Sequence, residues 1–407
     1  MAAIWQEIKT GAWLTPKRLR SYSVILLAAY AIASALWIAL AHDLVDRNNK
    51  PLGTDFSNVH AAGTLTLAGK PDLAYDWPTE HAVEKDTFGQ DVPFFGWHYP
   101  PLFLIVAMVL AILPYGWALA LWMATTLAAY IAAIRAIVPQ SMTALVALAY
   151  PAVFVNLGHG QNGFINAALL GSALLLLDRR PLASGVMIGL LAYKPQFGVL
   201  IPLVLVATAR WTVIGVAGGT VLSLCAATVA LFGTKVWVAF AASTTLTRHI
   251  VLEAGNTGWE KIQSLFSAVR MWGGSIDLAY AAQGGIALSV AVVLTWQWRN
   301  EAAYDLKAAA LAVAMLIATP YVLDYDLMLL AVAIAFYVRH GLAHGFHEFE
   351  LSLLVFVWVA PLATRPVADA IGIPLGLIAQ TILFVMTIVR ARRELVVPQG
   401  SVHLAQA

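Results

Sequence analysis

The stretch Tyr22–Ala41, YSVILLAAYAIASALWIALA, decides the class of this protein. It carries no charge, and as an α-helix rising about 1.5 Å per residue it is about 30 Å long, the thickness of a bilayer's hydrocarbon core. Lys9, Lys17, Arg18 and Arg20 precede it. Ala39-Leu40-Ala41 has the small-residue spacing of a cleavage site. The run is nevertheless longer than the roughly 7–15 apolar residues of a secretory signal. It reads as an uncleaved first membrane helix with a cytoplasmic N-terminus.

Similar apolar runs recur outward from this one, near 98–114, 116–137, 141–157, 164–177, 182–193, 195–208, 211–232, 276–297, 305–322, 325–339, 348–363 and 369–390. Across the chain 60% of residues are hydrophobic and 11% charged, against about 25% charged in a soluble domain. The expectation is an all-α polytopic membrane protein of about 11–13 transmembrane helices, with one transmembrane domain over 1–393 and a cytoplasmic tail over 394–407. No basic block suits nucleic acid. The single cysteine, Cys225, lies inside an apolar run and allows no intrachain disulfide.

Arg179, Arg180, Arg210, Arg299, Lys307, Arg339, Arg390, Arg392 and Arg393 fit a cytoplasmic side under the positive-inside rule. The opposite, outer face then receives two long polar loops, 42–97 and 233–275, and the breaks Gly158–Gly163, Lys194-Pro195-Gln196 and 319–326. If 98–114 and 116–137 both span, Arg135 falls outside and only one crossing remains for 141–177. Either 98–114 is re-entrant or 141–177 is one broken span, and the sequence leaves both open. Irregular backbone at membrane depth is tolerated where it is buried in protein or lines a wet cavity, so the outer face is where chemistry is expected.

Asp55, in Gly53-Thr54-Asp55-Phe56, precedes apolar positions Phe56, Val59, Gly63 and Leu67 at helical spacing. These residues predict a helix lying in the membrane interface, with Asp55 as its N-cap, as a general base held near the lipid surface, or as both. Tyr99, in His98-Tyr99-Pro100-Pro101, opens an apolar run, and two prolines suit a helix start. In Gly158-His159-Gly160-Gln161-Asn162-Gly163 the glycines permit close backbone approach, and His159, Gln161 and Asn162 offer polar groups suited to sugar hydroxyls. Lys194, beside Gln196, is a cation near the bilayer that suits a lipid phosphate, or one that snorkels to the headgroups. In the second loop Arg248 and Lys261 are further phosphate candidates, and Gln263 is a pocket candidate. Asp324 and Asp326 are either solvated or face an acceptor or cation. His340, His344 and His347 share a helical face compatible with a metal, but in a cytoplasmic loop, so no metal site is expected. No Walker P-loop, HExxH or GxSxG occurs.

Set in order, these stretches resemble glycosyltransferase family 87. The resemblance rests on Gly53-Thr54-Asp55-Phe56 with Gly69-Lys70-Pro71 and Tyr75-Asp76, then Tyr99-Pro100-Pro101, Gly160-Gln161-Asn162, Lys194-Pro195-Gln196 and Gln263-Ser264-Leu265. It ends on Pro320 followed by Tyr325-Asp326-Leu327. Tyr321 and Asp324 stand in a segment where some relatives carry histidine. The resemblance implies a GT-C fold and an inverting sugar transfer at the outer face of a bacterial inner membrane. The donor it implies is a polyprenyl-phosphate sugar, commonly mannose, and the acceptor a glycolipid or glycan, without a cofactor. Asp55 maps onto the family's catalytic base. Two rival classes fit an apolar chain with polar breaks: a lipid or polysaccharide flippase or transporter, and a lipid-linked transferase of the O-antigen-ligase or acyltransferase kind.

Overall fold

The computed structural model describes residues 1–396. Among them the chain is helical, with no strand and three isolated β-bridges. Six helices are long and apolar enough to cross a membrane: Pro16–Ala39, Tyr115–Ile137, Trp211–Phe232, Ile276–Arg299, Asp324–His344 and Leu375–Val396. The pair Glu350–Leu362 and Thr364–Ile371, bent by 74°, makes a seventh if it is one span. This is an all-α, multi-pass membrane protein. The 11–13 full crossings expected from the apolar runs are not seen as full-length helices, because several runs break where Pro or Gly interrupts the hydrogen-bond ladder. Pro101–Leu110, Gly163–Leu176, Pro181–Tyr193 and Pro195–Ala207 are shorter apolar helices. The 10 residues of Pro101–Leu110 rise only about 15 Å, half a bilayer, and 141–177 folds as Thr143–Leu148, Pro151–His159 and Gly163–Leu176. Of the two segments left open by the sequence, the first is thus a single short helix and the second is broken. The tail expected over 394–407 starts as helix through Val396, and its remainder lies outside the described residues.

Local chemistry sets the helix starts. Thr15 accepts a hydrogen bond from the Arg18 N–H, with Pro16 at the first helical position. Ser275 and Ser264 likewise cap Ile276–Arg299 and Leu265–Met271. Burial then sorts the helices. Tyr304–Ala318 is buried on all sides, with Leu306, Ala308–Ala310, Val313, Ala314 and Leu316 fully enclosed, the pattern of a central helix. Asp324–His344 and Leu375–Val396 pack against it. Trp211–Phe232 and Pro16–Ala39 bury little of themselves; their exposed apolar side chains, such as Leu222 and Ile25, form a surface suited to lipid.

The antiparallel pair Tyr304–Ala318 and Met328–His344 separates two ends. At one, Arg339 pairs with Asp305, and Arg390 bridges Glu350 at 2.9 Å and Glu394. There His340 Nε2 meets Glu394 at 2.8 Å and His344 Nδ1 meets the His340 carbonyl, so two of the three histidines engage an ion network and backbone. At the other end, about 25 Å away along Met328–His344, the loops 42–103 and 233–265 and the segment 319–327 converge.

Candidate active site

The helix predicted after Asp55 forms as Phe56–Leu67, and it is packed within the protein. Phe56, Ser57, Asn58, Val59, Ala61, Ala62, Gly63, Leu65 and Thr66 are all buried, and it packs on Leu104–Leu110 and Trp77–Phe88. Gly63 faces the Ala107 backbone so closely that no Cβ fits. Asp55 occupies the N-cap position, yet its side chain makes no capping hydrogen bond. One oxygen, Oδ2, instead accepts a 2.9 Å bond from Gln161 Nε2, and Oδ1 has only Thr54 Oγ1 at 3.4 Å. The carboxylate is half-buried on the wall of a cavity of about 560 Å³.

The orientation of Gln161 is fixed by donors. Its Oε1 accepts from the Asn162 backbone N–H at 3.2 Å and from Tyr99 Oη at 3.0 Å. Because a backbone N–H can only donate, the amide nitrogen must face Asp55. Tyr99 is held in turn by Asn162 Nδ2 at 2.9 Å, and Asn162 Oδ1 by Asn166 Nδ2 at 3.3 Å. Tyr193 Oη closes the chain on Asn166 Oδ1. A buried, satisfied network of this kind resists rearrangement.

Gly160 explains how the Gln161 turn reaches Asp55. Its φ is +60°, and a Cβ there would lie 2.6 Å from Phe56 Cβ and 2.8 Å from the Gly53 carbonyl oxygen. The substitution Gly160→Ala is therefore expected to push this turn off the Asp55 loop. The left-handed backbone and the clash together should cost about 1–3 kcal/mol. A lowered melting temperature in detergent with strongly reduced activity checks this; unchanged values of both would show that the contact is dispensable.

Lys194 is 4% exposed and also lines the cavity. Its ammonium bonds Asp326 Oδ1 at 2.7 Å and sits 5.1 Å from the Tyr325 ring centroid. The other oxygen of Asp326 accepts the Leu323 N–H at 3.0 Å. Asp326 is thus the counter-ion behind Lys194 rather than a cavity-wall residue. Gln196 lines the wall, as does Arg248, whose exposed guanidinium is 3.3 Å from Glu253.

The remaining candidates fall outside the wall. His159 turns back to the Val155 carbonyl at 2.9 Å. Asn162 stands behind Tyr99. Lys261 is half-buried beside Arg365, whose helix packs on the Trp259–Lys261 turn; burial lowers its pKa, and Arg365 adds to the shift. Gln263 ties its loop together, its N–H donating to the Val322 carbonyl at 2.7 Å and its carbonyl accepting from Gln380 at 3.0 Å.

Further residues line the cavity, and among those named next only His98 stood in a motif noted in the sequence. Trp77, Phe94, Phe95 and His98 line one side of the cavity, and Phe240, Ser243, Thr244 and Thr247 the other. His98 Nδ1 and Thr247 Oγ1 are 3.0 Å apart and join the two sides. Burial lowers the His98 pKa to about 4, so the ring is neutral at pH 7. Behind this wall two buried glutamates of Trp77–Phe88 hold the 91–99 segment. Glu84 accepts from Ser57 Oγ at 2.6 Å and the Phe95 N–H at 3.2 Å, and Glu80 from the Trp97 N–H at 3.0 Å. Only tertiary packing makes these surface-like residues internal.

Burial raises the Glu84 pKa from 4.5 to about 7. A carboxyl raised in the folded state contributes stability that is complete below its ordinary value and lost as pH rises through the raised one. Wild type should therefore lose up to about 3 kcal/mol relative to Glu84→Gln between pH 4.5 and 8. Comparing this pair at each pH cancels the titration of His98. Parallel melting curves across that range would contradict the assignment.

The model of glycosyltransferase family 87 matches residues 97–320, which include Tyr99, Gln161, Lys194 and Arg248 and begin after Asp55. No curated protein and no solved structure matches the chain. With more than half of its length matched, from the Trp97 wall segment to the end of the central helix, this membrane protein belongs to glycosyltransferase family 87.

Proposed function

We propose that the protein is a GT-C-type enzyme that moves a sugar, mannose by family resemblance, from a polyprenyl-phosphate donor to a glycolipid or glycan acceptor with inversion. The observation that carries this reading is one cavity whose wall bears a carboxylate, Asp55, with one oxygen held only by a long 3.4 Å contact to Thr54, together with the cations Lys194 and Arg248. The acceptor O–H gives its proton to Asp55 Oδ1 as its oxygen bonds to the anomeric carbon. The bond from that carbon to the phosphate oxygen breaks, and the lipid phosphate leaves with the electron pair. Lys194 and Arg248 meet the charge that develops on it. Gln161 holds Oδ2 so that Oδ1 faces the acceptor.

The separation of basic and cavity ends supports an orientation with both termini in the cytoplasm and the cavity facing the periplasm of a bacterial inner membrane. Apolar surface between the helices suits the polyprenyl tail. The test is incubation of purified protein with polyprenyl-phosphate mannose and candidate acceptor lipids, followed by mass spectrometry. Release of a polyprenyl monophosphate with a β-to-α change at the anomeric carbon is expected. Release of a diphosphate, or lipid movement across liposomes without covalent transfer, would refute it in favour of a ligase or a flippase.

A further inference from the structure

The first membrane helix, Pro16–Ala39, buries little of itself. It meets the bundle at Thr143–Leu148, and Tyr30 stacks on Phe154 at 4.8 Å. Toward its N-terminal end a second cavity, of about 500 Å³, separates it from Tyr115–Ile137, Met328–His344 and Glu350–Val359. Pro16, Leu19, Ile134, Val338, Leu354 and Trp358 represent the lining, which is mostly apolar and holds no charged residue. It shares no residue with the cavity of Asp55.

The groove is one leaflet long. On Met328–His344 it runs from Ala331 to Leu342, about 16 Å of helix, against about 30 Å for the whole hydrocarbon core. Its inner end is marked by Tyr150 and Trp358, with ring centroids 6.2 Å apart. Its other end, at Trp13, Leu342 and Phe346, lies toward the basic end of the protein, where a tryptophan suits the headgroup level.

A polar recess adjoins that mouth. A cavity of about 460 Å³, lined by Ala132, Arg135, Ala136, Pro139, Gln140 and Ser141, shares Gln140 with the apolar one. Arg135 is exposed and makes no ion pair among the described residues. Lys17, Arg18 and Arg20, equally without an ion pair there, stand in the first turns of the helix that supplies Pro16 and Leu19. The acids between the lining residues Phe346 and Leu351 are already paired, Glu348 with Lys9 at 3.0 Å and Glu350 with Arg390 at 2.9 Å. An apolar slot with surplus positive charge at its mouth complements a lipid with a negative headgroup.

We propose that this groove holds one acyl chain of an anionic phospholipid, with the headgroup phosphate on Arg135 beside Gln140 and Ser141. The lipid comes from the leaflet at the basic end, the cytoplasmic one in the orientation above. The site goes beyond the transferase reading and does not depend on it. The polyprenyl donor is a poorer occupant, because its phosphate has to reach Lys194 and Arg248 in the other cavity.

The test is native mass spectrometry of the detergent-solubilised full chain with phosphatidylglycerol and phosphatidylethanolamine of identical acyl chains. Wild type should retain phosphatidylglycerol at least about fivefold more strongly. Arg135→Gln should lower that retention about fivefold, the value of one basic residue at an anionic headgroup. Val146→Trp, which fills the groove from a half-buried position, should abolish retention of both lipids. Phosphatidylglycerol should also raise the melting temperature of wild type more than that of Arg135→Gln. Equal retention of the two lipids by wild type, or undiminished retention of phosphatidylglycerol by Arg135→Gln, would overturn the proposal. So would unchanged retention by a folded Val146→Trp. Displacement of phosphatidylglycerol by equimolar polyprenyl phosphate would overturn it by assigning the groove to the donor's tail. Arg135 is exposed, so its variant keeps the fold and decides the matter even if Val146→Trp does not fold.

Discussion

Asp55→Asn is expected to leave the fold and donor binding intact and to lower sugar transfer about 10²–10⁴-fold, the usual contribution of a general base. The substitution is close to isosteric. No capping bond is lost, because Asp55 does not cap its helix. Asparagine can still accept from Gln161 Nε2 through its one oxygen. The atom replacing Oδ1 then becomes an amide nitrogen, which donates hydrogen bonds and cannot take the acceptor's proton. Turnover by mass spectrometry, with a melting curve run in parallel, separates loss of chemistry from loss of fold. Transfer at the wild-type rate in a properly folded variant would remove Asp55 from the mechanism.

The second large effect concerns Lys194 and Asp326, whose side chains are 5% and 1% exposed. Removing one member of a buried ion pair strands the other charge and costs about 3–5 kcal/mol, whereas replacing both by apolar residues of similar volume is often neutral. Asp326→Leu alone should therefore destabilise strongly, and so should Lys194→Met alone. The double variant should regain most of the loss in denaturant titrations in mixed micelles. Transfer should not return with it: the leaving phosphate then lacks its buried cation, a deficit of about 10²–10³ by comparison with other preorganised electrostatic groups. An active double variant would show that the pair serves only the fold. Single variants as stable as wild type would show that the two charges do not depend on each other.

The network around Asp55 shows why these side chains act together. Gln161 sits 106 positions from Asp55 in sequence, and Asp326 sits 132 from Lys194. No periodicity or spacing connects such pairs. They meet because Gly160 and Gly163 let the turn after Pro151–His159 press against the Asp55 loop on one side and the Tyr325 backbone on the other.

The sequence by itself determined that the chain enters a membrane as helices, since an apolar run of bilayer length has no other way to satisfy its backbone. Its ordered motifs also pointed to Asp55, Tyr99, Gln161, Lys194, Gln196 and Arg248, all of which line one cavity. Tertiary structure alone decided that the helix after Asp55 is packed inside and that Asp326 stands behind Lys194. It also decided that His159, Lys261 and Gln263 lie outside the wall, that Asn58 and Trp77 line it, and that Glu80 and Glu84 brace the segment behind it. The division has one cause. Bilayer insertion and helix starts depend on residues within a few turns of one another. Whether a polar side chain ends up partnered, orphaned or buried depends on segments a hundred or more residues away.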